Sequence, residues 1–163
     1  MKLIKIEGSA RKLPRNAVYI GRAAPGQPRS ALANPFIAKS RAPKVCHTAL
    51  IVPDESVLER YRRHLCMRTV EHFAELEALR GLTSRSTLAC WCVSRPAKIV
   101  GAGHLQPDPA CHGDVIFTVW TALERLNWDV PKVDFQRDMD AANAAWSRLY
   151  LAAFGEPMTW GGR

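Results

Sequence analysis

Proline and glycine cluster in two stretches, Gly21 to Pro43 and Pro96 to Pro109, and these decide what the rest of the chain can become. Proline fixes φ and removes a backbone donor, so neither stretch holds a long helix or a central strand. Both read as loops, and loops of this length in a folded domain are commonly functional or disordered. Regular structure is left to the segments around them. Residues 2 to 6, KLIKI, alternate polar and apolar as a half-buried strand does, and Ala17 to Ile20 reads as a second strand ending at Gly21-Arg22. Thr48 to Val52 and Thr87 to Cys92 suit two more.

The strongest helical pattern begins at Ser56. Ser56 and Glu59 have the form of a capping box, and Leu58, Tyr61, Leu65, Phe73, Leu76 and Leu79 recur at helical spacing until Gly81 supplies a stop. Its other face carries Arg60, Arg62, Arg63 and Arg68, either a solvated surface or a phosphate-contacting stripe. Gly113 to Leu126 reads as a second helix, with Val115, Ile116, Val119, Leu123 and Leu126 on one side and Asp114 in its first turn. A third spans about Phe135 to Phe154, where Met139, Ala142, Trp146, Leu149, Tyr150 and Ala153 form a stripe that Gly155 ends. The pattern predicts an α/β fold, a small sheet flanked by helices, in a single domain. Residues 1–130 carry the strands and motifs, and residues 131–163 form a C-terminal helical extension of the same domain.

Charge narrows the function. Lys plus Arg number 23 against 15 Asp plus Glu, a net charge of +8 with the excess in the first half, which favours a nucleotide or nucleic acid as partner. No segment approaches the roughly 18 apolar residues of a membrane span, and MKLIKIEGSARKLPR lacks the apolar core of a secretory signal. A soluble, cytoplasmic protein without membrane contact is expected. The 5 cysteines, an odd number without such a signal, argue against a disulfide scaffold and for metal, catalysis or burial.

Four of the metal-ligand type residues fall close together, Cys90 and Cys92 in CWC and Cys111 and His112 in ACHGD. On a strand Cys90 and Cys92 share one face while Trp91 points to the other, toward the core. Cys111 and His112 at a helix start would complete a tetrahedral zinc set, with His104 as a substitute ligand, and the helix terminus favours thiolate at Cys111. Two other readings stay open: the cysteines are small buried hydrophobes, or Cys111 or Cys92 is a reactive thiol activated by His112. Cys46-His47 is a further Cys-His pair, and Cys66, inside the first helix, packs. Among the strand ends and loops, Gly21 would allow close backbone approach and Arg22 would meet a phosphate. Asn34 would read the edge of a base or sugar, and Phe36 would offer a stacking face. Alternatively Asn34 only shapes the turn before Pro35 and Phe36 belongs to the core. Asp114 is either a helix-start carboxylate or a proton carrier. Zinc deamination is excluded, because it needs H-x-E and P-C-x-x-C patterns that the chain lacks.

The order of these motifs resembles a family seen mainly in bacteriophage and bacterial genomes, domain of unknown function 4326. The resemblance rests on Val18-Tyr19-Ile20-Gly21-Arg22, Asn34-Pro35-Phe36, Tyr61 in its helix, Cys90-Trp91-Cys92 and Cys111-His112-Gly113-Asp114, and spans about residues 17 to 126. Here Val93 to Ala110, with Lys98, His104 and Asp108, is a long insert where the family has a short link, and the segment after Asn127 is an addition. The resemblance implies a phage or bacterial setting and a shared site, without a reaction. The expected function is a nucleotide- or nucleic-acid-binding α/β domain with a Cys/His zinc site, in one form an enzyme acting on nucleotides or nucleobases through Asp114 or Cys111. The competing class is a non-enzymatic basic phage protein that binds host nucleic acid or an acidic host protein, its metal only structural. A thiol-dependent transferase or hydrolase with Cys111 as nucleophile is a third.

Overall fold

The computed structural model describes residues 1–6, 13–24, 26–39, 50–53, 57–91, 98–99 and 111–158. In chain order the elements are β1 (Lys2–Lys5), β2 (Ala17–Tyr19), β3 (Phe36–Ala38), β4 (Leu50–Val52), α1 (Val57–Glu71), α2 (Phe73–Arg80), β5 (Thr87–Cys90), β6 (Lys98–Ile99), α3 (His112–Arg125) and α4 (Met139–Phe154). The main sheet runs β2-β5-β1-β6, with β5 parallel to both β1 and β2 and β6 antiparallel on the far edge of β1. Leu3 pairs with Leu88, Lys5 with Cys90 and Tyr19 with Ala89, so the carboxyl ends of β1, β2 and β5 line up along one edge. β3 and β4 form a separate parallel pair that packs on α1. The architecture is a small mixed α/β domain whose C-terminal helix joins the core.

Strand alternation sorts the side chains into two layers. Leu3, Val18, Ile20, Leu88 and Cys90 face the helices and merge with the principal core, while Ile4, Ile6, Ala17, Tyr19 and Ala89 form a smaller cluster on the opposite face. α3 is buried from His112 to Val119, because its apolar face meets the sheet and its flanks meet α1 and α4. α4 contributes Trp146, Leu149, Tyr150 and Ala153, and is joined to α1 by Tyr150 Oη donating to Glu59 Oε1 at 2.9 Å. Tyr61 of α1 is buried, and its hydroxyl donates to the Leu32 carbonyl at 2.6 Å, fixing the proline-rich loop to the helix.

The structure differs from expectation at several points. The helix from Ser56 to Gly81 is two, broken at His72, which is extended at φ −122° and ψ 133°. Thr69 Oγ1 donates to the Leu65 carbonyl at 2.7 Å, a back-bond that bends helices, and Arg68 Nε reaches across the break to Glu75 Oε1 at 2.8 Å. The break turns Leu76 and Leu79 into the core and leaves Phe73 60% exposed, under the Lys132 ammonium at 4.3 Å. Ser56, the expected cap, lies outside the described residues, as do Cys46 and His47. The last helix starts at Met139 rather than near Phe135, because the Asp138 side chain caps it by accepting from Ala141 N at 2.9 Å. β3 lies within the long loop, its three residues directly after Pro35. Gly155, at φ 74°, ends α4 as expected.

One glycine governs how α3 meets the sheet. A Cβ on Gly113 would overlap Leu3 Cδ2 and stand 3.2 Å from Ile20 Cδ1. Gly113→Ala therefore overpacks the interface and is expected to cost about 1–3 kcal/mol in urea unfolding. Leu3→Ala in the same chain makes room, so the double variant should lose less than the sum of the two single losses; strict additivity would show that the clash is not what limits the approach.

Candidate metal centre

The N-terminus of α3 is set against the carboxyl ends of β2 and β5, and this brings three of the expected ligands together. Ligand atoms of Cys90, Cys111 and His112 lie within 4.8 Å of one another, and all three residues are buried. Each arrives for a local reason. Cys90 ends β5 and points to the helix side of the sheet. Cys111 is extended at φ −151° and is the N-cap of α3, its Sγ accepting from Gly113 N at 3.3 Å. His112 opens the helix and turns back across the end of β2.

The imidazole is oriented by the main chain. His112 Nε2 lies 2.9 Å from the Ile20 carbonyl oxygen, which can only accept, so Nε2 carries the proton. Nδ1 then presents its lone pair toward Cys90 Sγ, 3.4 Å away. Burial first holds His112 below the ordinary imidazole value, and Arg22 adds to that, against the opposing influence of Cys111, the Ile20 carbonyl and Asp114. The ring is neutral at pH 7 and ready to ligate. A histidine that binds metal through one nitrogen while the other donates to a carbonyl is the usual supported arrangement. Tetrahedral zinc, with bonds of about 2.3 Å to sulfur and 2.0 Å to nitrogen, brings ligand atoms to within about 3.5–3.8 Å of one another. Cys90 and His112 already stand at that separation, so the group can hold a metal ion with small side-chain movements.

The other expected residues divide into two sets. Arg22, three residues past β2, and Asp114, two residues after His112, both bear on the His112 charge. Asp114 is buried in the first turn of α3, where the helix dipole favours a carboxylate. Gly21 is buried beneath the Tyr19 ring, which a Cβ would overlap. Asn34 and Phe36 lie farther along the surface of α1. Phe36 meets His64 edge-on at 5.6 Å between ring centroids, His64 stacks on Tyr61 at 6.5 Å, and Tyr61 meets His112 edge-on at 5.6 Å. Asn34 Oδ1 accepts from Phe36 N at 2.9 Å, so its oxygen shapes the turn at Pro35. Cys92 and His104 lie outside the described residues. Trp91, expected to turn inward, is 43% exposed.

Tertiary contacts supply partners that residue types do not announce. The Ile20 carbonyl is backbone and has no signature. His64 does, because three residues after Tyr61 it shares a helix face with it. Three arginines of the stripe form ion pairs: Arg62 and Arg63 with Glu59, and Arg68 with Glu75. Cys66 is fully buried, and burial together with the Glu59 carboxylate pushes its thiol up, so it packs without reacting.

A family match accounts for this shared core. The family described as "Domain of unknown function (DUF4326)" matches residues 4–122. The chain belongs to that family. The matched span of the DUF4326 domain runs from β1 into α3 and contains Arg22, Asn34, Phe36, Cys90, Cys111, His112 and Asp114, whereas α4 lies beyond it. The curated proteins and the solved structures gave no match to the chain.

Acid should weaken the metal-free protein in a defined window. His112 and His64 are both held below 6.5, chiefly by burial and, for His64, next by Arg68. The unfolded chain binds these protons more readily, so their contribution is fully present above the unfolded value and is lost as pH falls toward the depressed folded values. Urea midpoints measured after chelation at about pH 7.5 and about pH 5.5 should drop at the lower pH. His64→Gln should shrink that drop; an undiminished drop would show that this imidazole is not the group being protonated.

Proposed function

We propose that this DUF4326 domain binds a nucleotide or a nucleic-acid component at the carboxyl edge of its parallel strands, beside a zinc ion held by Cys90, Cys111 and His112. The observation that carries the reading is the convergence of a Cys/His group, the guanidinium of Arg22 and the N-terminus of α3 at one strand edge. Edges of this kind are where open α/β sheets receive ligands. The thiolates and imidazole suit zinc over hard cations, and the sequence offers Cys92 as a fourth ligand. Arg22 supplies a planar fork for phosphate and Asp114 a carboxylate close to the imidazole, whereas Asn34, buried with its oxygen in the turn at Pro35, is left out of the site.

The burial of all three ligand residues favours a structural ion, tying β5 to α3, over an ion that attacks substrate. Chemistry on a nucleotide or nucleobase would then fall to Asp114 and the groups around it. The setting we infer is the cytoplasm of a bacterial cell, with phage or host nucleotides as ligands. Among the described residues no helix is long and apolar enough to cross a membrane.

Elemental analysis of protein purified without a metal column should find about one zinc per chain. Cys90→Ser and His112→Ala should each lose the ion and lower the thermal midpoint, and a chelator should do the same to the parent chain. A metal-free chain whose midpoint ignores both zinc and chelator would contradict the zinc part of the reading.

A further inference from the structure

Trp91 and Arg22 come from segments far apart in sequence and meet through one hydroxyl. Trp91 follows the last residue of β5 and is 43% exposed, yet its ring is not loose. Its Nε1 donates to Tyr19 Oη at 3.3 Å, and the Tyr19 hydroxyl donates in turn to the Arg22 carbonyl. The same Tyr19 ring covers Gly21, so the backbone passes beneath it without a side chain. An indole anchored at its polar edge keeps its apolar face available at little entropic cost on binding.

Arg22 lies three residues past the end of β2. Arg62, Arg63, Arg68 and Arg80 each pair with a carboxylate, whereas no carboxylate among the described residues pairs with Arg22. A fixed, exposed indole and an uncompensated guanidinium carried by neighbouring strand ends can take a flat aromatic ring and an anion together. Nucleotides combine both, and bases of any identity stack on an aromatic face.

We propose that Trp91 is the base-stacking surface of a nucleotide site at the carboxyl ends of β2 and β5, with Arg22 on the phosphate. The inference rests on the nucleotide-binding reading above and moves the stacking role from Phe36 to Trp91. Phe36 is half-buried with its ring edge-on to His64, which leaves it poorly placed to take a base. The ligand is a nucleotide unit, whether free or part of a single strand.

The test titrates the parent chain, Trp91→Ala and Arg22→Ala with the common 5′-mononucleotides and with a short single-stranded oligonucleotide, using inorganic phosphate as competitor. Trp91→Ala should weaken the tighter-binding of the two ligand forms about 5- to 160-fold, the range seen when a stacked aromatic is truncated, without changing competition by phosphate. Arg22→Ala should weaken both the ligand and the phosphate. Trp91→Phe, which keeps a ring, should fall between parent and alanine. Tighter binding of mononucleotide identifies a free nucleotide as the source, and tighter binding of oligonucleotide identifies a strand; either supports the site if Trp91→Ala weakens it. A parent chain that binds ligand and a Trp91→Ala variant that binds it equally well would overturn the stacking role alone. A parent chain that binds neither form would overturn this inference and the nucleotide reading together.

Discussion

The approach of α3 to the sheet at Gly113 is the contact on which the rest of the arrangement depends. With no side chain there, the first turn of the helix settles onto Leu3 and Ile20. The consequence one residue earlier is that His112 reaches the Ile20 carbonyl with Nε2 and faces Cys90 with Nδ1. Two residues earlier, Cys111 caps the helix and brings its sulfur to the same place. A larger residue at 113 would lift the turn off the sheet and open all of these separations together. The glycine thus links packing to chemistry: the interface that buries Leu3 and Ile20 is also the one that assembles the Cys/His group.

α1 forms the second wall of this centre. Tyr61 presents its ring edge to His112 and its hydroxyl to Leu32, so one buried side chain holds both the imidazole and the proline-rich loop. Breaking the hydroxyl's bond would strand a buried carbonyl at a cost of about 1–3 kcal/mol. Arg62, Arg63 and Arg68 of the helix are engaged by Glu59 and Glu75, and Arg22 is the cation whose charge bears on His112. Glu59 also receives the Tyr150 hydroxyl, and burial and this carboxylate together push the Tyr150 phenol up and keep it a donor. Through that bond, and through Trp146 in the common core, the helix outside the family span is joined to the part that carries the site.

Much of this was legible in the chain because it depends on periodicity and residue type. The alternation of KLIKI, the apolar stripe from Val115 to Leu123 and the Cys-His pair before Gly113 each specify local structure that tertiary packing preserves. Other features were not legible, for physical reasons. The break at His72 accompanies the burial of Leu76 and Leu79 in the core, and the apolar spacing, which runs on through it, does not signal it. Trp91 lies outward because the face it shares with Tyr19 carries only a small apolar cluster, so alternation alone misjudged which side of the sheet was the deeper one. Asn34 and Phe36 share a motif with the site residues, yet Tyr61 and His64 stand between them and His112. The Ile20 carbonyl, which orients the imidazole, is a backbone group that any residue at that position would offer.

The central claim is that Cys90, Cys111 and His112 close on one ion, with the imidazole held from behind by the main chain. Zinc-edge X-ray absorption on the purified protein tests it most directly. The account predicts at least two sulfur ligands at about 2.3 Å and an imidazole nitrogen at about 2.0 Å. A first shell made only of oxygen and nitrogen, or no bound zinc at all, would contradict it.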